Sequence, residues 1–98
     1  MIGPMPRYLV ERAFDPCTQE ELVATNVRSK RLLTDEFTDV TWEHSHVCAD
    51  DDGTVRSYCV YDAPDTARVR EHAAVLGAHT IVRISEIAGD IDPSDIIV

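Results

Sequence analysis

The sequence predicts an α+β fold of the ferredoxin-like type, a four-stranded antiparallel sheet with two helices on one of its faces. The predicted element order is βαββαβ, with one short hairpin in the middle and a helix inside each half. The chain has 98 residues, a length suited to one small domain with a modest core. We expect this domain at residues 6–88, between an N-terminal extension at 1–5 and an acidic C-terminal tail at 89–98.

Two helices are predicted from capping signals and apolar periodicity. Thr18 and Glu21 have the spacing of a capping box, which begins a helix that runs to about Asp35. Asp65 is expected to cap the second helix, and Gly77 to end it. The apolar stripes predicted for the two helices are Leu22, Val23, Val27, Lys30 and Leu33 in the first, and Val69, His72, Ala73 and Leu76 in the second.

Four strands are predicted from alternation and from an excess of β-branched and aromatic residues. They cover residues 7–12, 40–48, 56–62 and 80–87, and the acidic turn Asp50–Gly53 joins the middle two. Successive side chains in a strand point to opposite faces. Strict alternation in the second strand therefore predicts one shared face for Val40, Trp42, His44, His46 and Cys48.

Charge and composition narrow the classes of partner. The formal net charge of −9 argues against nucleic acid and against anionic membrane surfaces, because both need Lys and Arg patches. No apolar run is long enough to span a membrane, and no signal pattern opens the chain. Three cysteines in separate elements favour a reduced, cytoplasmic protein. Cys17 is expected to be a surface thiol.

The outer surface of the predicted sheet favours a homodimer. The helices can cover only one face, yet the first, third and fourth strands carry apolar side chains on both. An uncovered apolar face of this size is typical of an interaction surface. We therefore expect a second copy of the chain to pack against it, sheet to sheet.

His44 and His46 form an H-x-H motif on a strand. Two-residue spacing places both imidazoles on one face, within reach of a single ion. Imidazole is a good ligand for nickel, copper and zinc. The motif therefore indicates a divalent metal site, and the alternative is an edge strand with two solvated histidines.

Three further residues are candidate ligands. His72 lies on the predicted buried stripe of the second helix, where the alternative is a core histidine with one hydrogen bond. Glu11 lies on a strand covered on both sides, and a buried carboxylate needs a partner, a metal or a proton. Cys59 lies on a neighbouring central strand. A Glu, a His and a Cys that converge on one cavity would suit a divalent metal or acid–base chemistry.

Four sequence blocks together resemble a known family. They are RYLVER, W-x-HS, YCVYDAPD and VREHA, and they occur in that order between residues 6 and 87. The chain resembles the small nickel-binding, ferredoxin-like proteins of actinobacteria and related bacteria, first catalogued as a domain of unknown function. The resemblance implies a dimeric ferredoxin-like fold and a transition-metal site, without an established reaction. The sequence differs from the family at His46, where an aromatic residue is expected, and at His79, where no histidine is expected.

Two classes of function follow from these observations. The first is a cytoplasmic protein that sequesters or senses Ni²⁺ or a similar divalent ion. The alternative is a small dimeric α+β-barrel enzyme, an isomerase or a cofactor-independent oxygenase, with Glu11 and His72 as an acid–base pair between sheet and helices. That alternative rests on analogy with other families of this fold. A structural interaction dimer without a ligand is the third possibility.

Overall fold

The computed structural model describes residues 5–14, 18–77 and 80–97. The predicted turn at 15–17, which includes Cys17, and His79 lie outside these ranges. The element order is the predicted βαββαβ, so the α+β, ferredoxin-like prediction is confirmed. The elements are β1 (Arg7–Phe14), α1 (Gln19–Asp35), β2 (Thr41–Ala49), β3 (Val55–Asp62), α2 (Thr66–Leu76) and β4 (Thr80–Glu86), followed by a short 3₁₀ turn at Pro93–Asp95.

The four strands form one antiparallel sheet in the order β2-β3-β1-β4. We call the face that packs on the two helices the inner face, and the opposite one the outer face. Alternate residues of β1 point to the inner face and are buried, beginning with Tyr8 and Val10. The core between sheet and helices contains Tyr8, Val10, Leu33, Phe37, Val40, Cys59, Tyr61, Ala63 and Val69.

The caps predicted for both helices are present. The Thr18 hydroxyl accepts a hydrogen bond from the backbone N–H of Glu21, and the Glu21 carboxylate accepts one from the N–H of Thr18. Asp65 caps α2 through the N–H of Arg68. Gly77 ends α2 with a φ of 67°, a value that glycine adopts without strain.

The buried stripe predicted for α2 is confirmed, whereas the one predicted for α1 is wrong in part. Val69, His72, Ala73 and Leu76 are the buried residues of α2, as predicted. In α1, Val23 and Val27 are about half exposed and Lys30 is exposed. The helix is rotated so that its inner stripe follows the spacing i, i+4, i+7, i+11 from Leu22, and this stripe consists of Leu22, Asn26, Ser29 and Leu33.

The predicted strict alternation of β2 is wrong, because the strand contains a bulge. Trp42 pairs with Tyr61, whereas His44 pairs with Val60, so Glu43 is an extra residue between them. Such a bulge changes which face the following residues occupy. Trp42 therefore points to the inner face, where it lies stacked against Tyr61. His44, His46 and Cys48 still share one face, but it is the outer face.

The C-terminal segment leaves the sheet beside the start of β1. The backbone N–H of Ile87 donates to the carbonyl of Arg7, and the Asp90 carboxylate forms an ion pair with the Arg7 guanidinium. Further along, Ile91 and Ile97 are largely exposed. The division into an extension at 1–5, a domain at 6–88 and a tail at 89–98 stays a prediction.

Candidate functional site

The H-x-H motif lies on the outer face of the edge strand β2. His44 is opposite Val60 and His46 is opposite Tyr58. Both histidines are exposed. Their ring centroids are 5.5 Å apart, with the rings nearly perpendicular. Two imidazoles at this separation can fill two positions around one transition-metal ion after a change of rotamer.

The Glu43 bulge beside His44 is held by an ion pair across the sheet. Arg7 Nε donates to Glu43 Oε2 at 2.7 Å, and Arg7 Nη2 donates to the other carboxylate oxygen at 3.1 Å. The hydrogen bond from Arg7 lowers the pKa of Glu43 to about 2. Glu43 in turn raises the pKa of Asp62, since the two carboxyl groups are neighbours. The bulge is therefore fixed by a charged cluster, and it sets the direction of His44.

Glu11 also lies on the outer face, but apart from the two histidines. It is opposite Tyr58 on β3, and His46 is on the other side of the same tyrosine. Two strand spacings, about 10 Å, separate the backbones of Glu11 and His46. Glu11 Oε2 accepts a hydrogen bond from Arg56 Nη1 at 3.3 Å. The Glu11 carboxylate is thus paired with Arg56 and separated from His46 by Tyr58.

His72 points inward, as predicted, with a relative exposure of 1%. Its Nε2 is 3.2 Å from the hydroxyl of Ser29 on α1. The ring packs edge-on against Phe37, with centroids 5.5 Å apart, and lies 5.9 Å from the ring of Tyr61. These contacts place the imidazole between the two helices and the sheet.

Cys59 lies on the inner face near the middle of the sheet. It is buried, and its thiol donates to the hydroxyl of Ser57 at 3.6 Å. Burial also raises the pKa of the neighbouring Tyr61. The inner face therefore has several polar side chains in a largely apolar core.

The five predicted ligands divide between the two faces of the sheet. Glu11, His44 and His46 are on the outer face, whereas His72 and Cys59 are on the inner face. Within the described residues, no group of three or more His, Cys, Asp or Glu side chains is close enough to hold a metal ion. Glu11 and His72 are on opposite faces, so they do not form the acid–base pair of the enzyme hypothesis.

Two inner-face residues were missed as site residues by sequence reasoning. Ser29 is the hydroxyl partner of His72, and it lies on the buried side of α1, seven residues after Leu22. Arg12 is buried at 3% exposure, with Cζ 5.2 Å from the centroid of the Tyr61 ring. The alternation of β1 places Arg12 on the inner face, but a charged residue is not expected there without a partner.

A family model described as "Nickel responsive protein SCO4226-like" matches residues 8–87. The chain belongs to this family. The match covers all six helices and strands almost in full, and the nickel-type resemblance of the sequence blocks is confirmed. No curated protein matches the chain.

The fold also has a counterpart of known structure. The solution structure of the C-terminal domain of the MgtC protein from Mycobacterium tuberculosis superposes with a TM-score of 0.56 at 14% sequence identity. The superposition covers 91% of this chain and 93% of that one. Identity this low shows a shared fold alone. In the described part of the chain, no helix is long and apolar enough to cross a membrane.

Proposed function

We propose that this protein binds Ni²⁺ in the cytoplasm and sequesters or senses it. The observation that carries the proposal is the exposed pair of His44 and His46, 5.5 Å apart, in a chain that belongs to a nickel-responsive family. Imidazole nitrogen is a suitable ligand for nickel. The net charge of −9 favours the approach of cations.

Two imidazoles supply only part of a nickel coordination shell. Water can fill further positions, and so can side chains from a second copy of the chain. We propose that two copies pack through their outer faces, where neither helix covers the sheet. Leu9 and Val82, which are 39% and 51% exposed, would then become buried. The histidine pair of each copy would lie at or near the border of this interface.

Calorimetric titration of tag-free, metal-free protein with NiCl₂ tests the metal site. We expect His44→Ala and His46→Ala each to weaken binding at least tenfold, and the double variant to lose it. Binding should weaken in acid, because an imidazole must give up its proton to bind a metal. ZnCl₂ and CuCl₂ titrations would rank the metals.

His72→Leu is the matched control, since it removes a histidine from the inner face and leaves the outer face unchanged. It should bind Ni²⁺ like the wild type. Unchanged affinity in the double variant, with loss in His72→Leu, would move the site to the inner face. Unchanged affinity in all three would refute a site at any of these histidines.

A further inference from the structure

We propose that the inner face holds a second site, one that binds a small carboxylate through the buried guanidinium of Arg12. This site is independent of the proposed nickel site, which lies on the other side of the sheet. It follows from a charged side chain that is buried with no counter-charge beside it among the residues that the structure describes.

Among the described residues, Arg12 has no partner for its charge or for two of its nitrogens. Its Nε and Nη2 are shielded from solvent, and neither has a hydrogen-bond partner within residues 5–14, 18–77 and 80–97. The ion pairs of the described chain involve Arg7, Arg56 and Arg68 instead. Arginine keeps its positive charge in proteins. A buried, unpaired charge is strongly unfavourable, so an anion that pairs with Arg12 would be bound with a large gain.

The two unpartnered nitrogens identify the geometry of the anion. Nε and Nη2 lie along one edge of the guanidinium, and their N–H groups point the same way. Such a pair forms two parallel hydrogen bonds with the two oxygens of a carboxylate. A spherical halide cannot satisfy both donors in this parallel way. The free edge of Arg12 therefore favours a planar carboxylate.

The neighbours of Arg12 can complete the recognition. Ser57 is its cross-strand partner on β3 and is also buried. The Ser57 oxygen accepts a hydrogen bond from the Cys59 thiol, which leaves the hydroxyl hydrogen able to donate to an anion. The face of the Tyr61 ring lies against the guanidinium and attracts the cation, but it accepts none of the hydrogen bonds along the free edge.

The sheet is irregular at this position. Glu11 pairs with Arg83 on β4, whereas Arg12 pairs with Ile81, so Val82 is an extra residue in β4. Bulges redirect side chains and are frequent beside functional sites. Formate and acetate are the smallest carboxylates, so they are the probes that need the least room beside the buried guanidinium.

Thermal unfolding of dialysed, carboxylate-free protein tests the proposal, with sodium formate and sodium acetate as probes. We expect either probe to raise the unfolding midpoint saturably, and to shift the ¹⁵N resonance of Arg12 Nε. Sodium chloride at equal ionic strength should do neither. Arg12→Met should fold, be at least as stable as the wild type without acetate, and lose the response, since it removes an unpaired buried charge.

Two further variants test whether the acetate response depends on the guanidinium of Arg12. Arg56→Met removes an exposed arginine from the outer face and should retain the acetate response. Arg12→Lys keeps the charge but loses the two-nitrogen edge, so its response should fall at least tenfold in apparent affinity. An equal response to chloride, an equal response in Arg12→Met, or no saturable change in the wild type would overturn the proposal.

Discussion

At the scale of single residues, His72 shows how a polar side chain is accommodated in the core. It is 1% exposed and contacts the Ser29 hydroxyl. Burial disfavours a charged side chain unless a partner compensates it. The imidazole can be buried because α1 supplies a hydroxyl beside it.

Substitution of His72 should therefore depend on charge more than on shape. His72→Leu should keep the fold and cost less than about 3 kcal/mol, since a branched apolar side chain fills the buried position and leaves no charge there. His72→Asp should cost about 3–5 kcal/mol, because it buries an unpaired carboxylate. Urea denaturation followed by circular dichroism measures both free energies of unfolding.

Val75→Asp is the matched control for this comparison. Val75 is on the same helix but is 55% exposed, so the same charge there should change the free energy of unfolding by less than about 1 kcal/mol. A cost for Val75→Asp as large as that for His72→Asp would contradict the burial argument.

The ion pair between Arg7 and Glu43 should make the stability of the fold depend on pH. The pKa of Glu43 is lowered from 4.5 to about 2, so folding favours its ionised form. The stability linked to this contact is present above pH 4.5 and is lost as the pH falls from 4.5 through about 2. Asp62 has the opposite sign: its pKa is raised, so its protonated form favours the fold, and this contribution is lost as the pH rises.

Carbon-13 NMR titration of the carboxyl groups measures the pKa values of Glu43 and Asp62 directly. In Arg7→Gln the pKa of Glu43 should move back towards 4.5, because its main hydrogen-bond donor is gone. Arg31→Gln removes an exposed arginine of α1 and should leave the titration of Glu43 unchanged. A Glu43 titration near 4.5 in the wild type would mean that the ion pair does not form in solution.

At the scale of the helices, periodicity predicted α2 better than α1. The buried positions of α2 are apolar apart from His72, so the stripe determines its rotation. In α1, Val23 and Val27 are apolar but exposed, whereas the buried side of the helix contains the polar residues Asn26 and Ser29. A stripe with two polar members cannot be identified by hydrophobicity, because its burial depends on partners in other elements, such as His72.

The bulge in β2 could not be predicted from alternation. An extra residue becomes visible only when the cross-strand partners are known, and those are Tyr61 for Trp42 and Val60 for His44. The bulge does not affect the prediction for His44 and His46, because both histidines follow it in the strand. The prediction that they share a face was therefore correct, although Trp42 does not share it.

Two single-residue deletions in β2 should differ in their effect on metal binding. Deletion of Glu43 removes the extra residue and keeps His44 and His46 on the outer face, so Ni²⁺ affinity should be nearly unchanged. Deletion of Ser45 puts the two histidines on opposite faces, because side chains alternate along a strand. Its Ni²⁺ affinity should fall at least tenfold by calorimetry, with circular dichroism to verify the fold. Equal affinities in the two deletions would argue against the pair as the site.

At the scale of the whole molecule, the uncovered outer face should determine the association state. Leu9→Glu with Val82→Glu should weaken the proposed dimer at least tenfold, or about 1.4 kcal/mol, because two carboxylates per copy would be brought into the interface. Sedimentation equilibrium at micromolar concentration measures this change.

A charge-matched control separates this effect from the added charge alone. Val23→Glu with Val75→Glu places two carboxylates on the exposed surfaces of the helices, where the parent side chains are 53% and 55% exposed. This variant should associate like the wild type. Should the wild type itself sediment as a monomer, the sheet-to-sheet dimer would be refuted.

The charged bulge of β2 has a further consequence for this edge of the sheet. An edge strand leaves a row of backbone N–H and C=O groups able to pair with another chain, which is how fibrillar aggregates grow. The bulge interrupts that row, and the carboxylate of Glu43 adds repulsion between identical edges. The deletion that leaves nickel binding intact should therefore make concentrated protein precipitate or form fibrils sooner on storage.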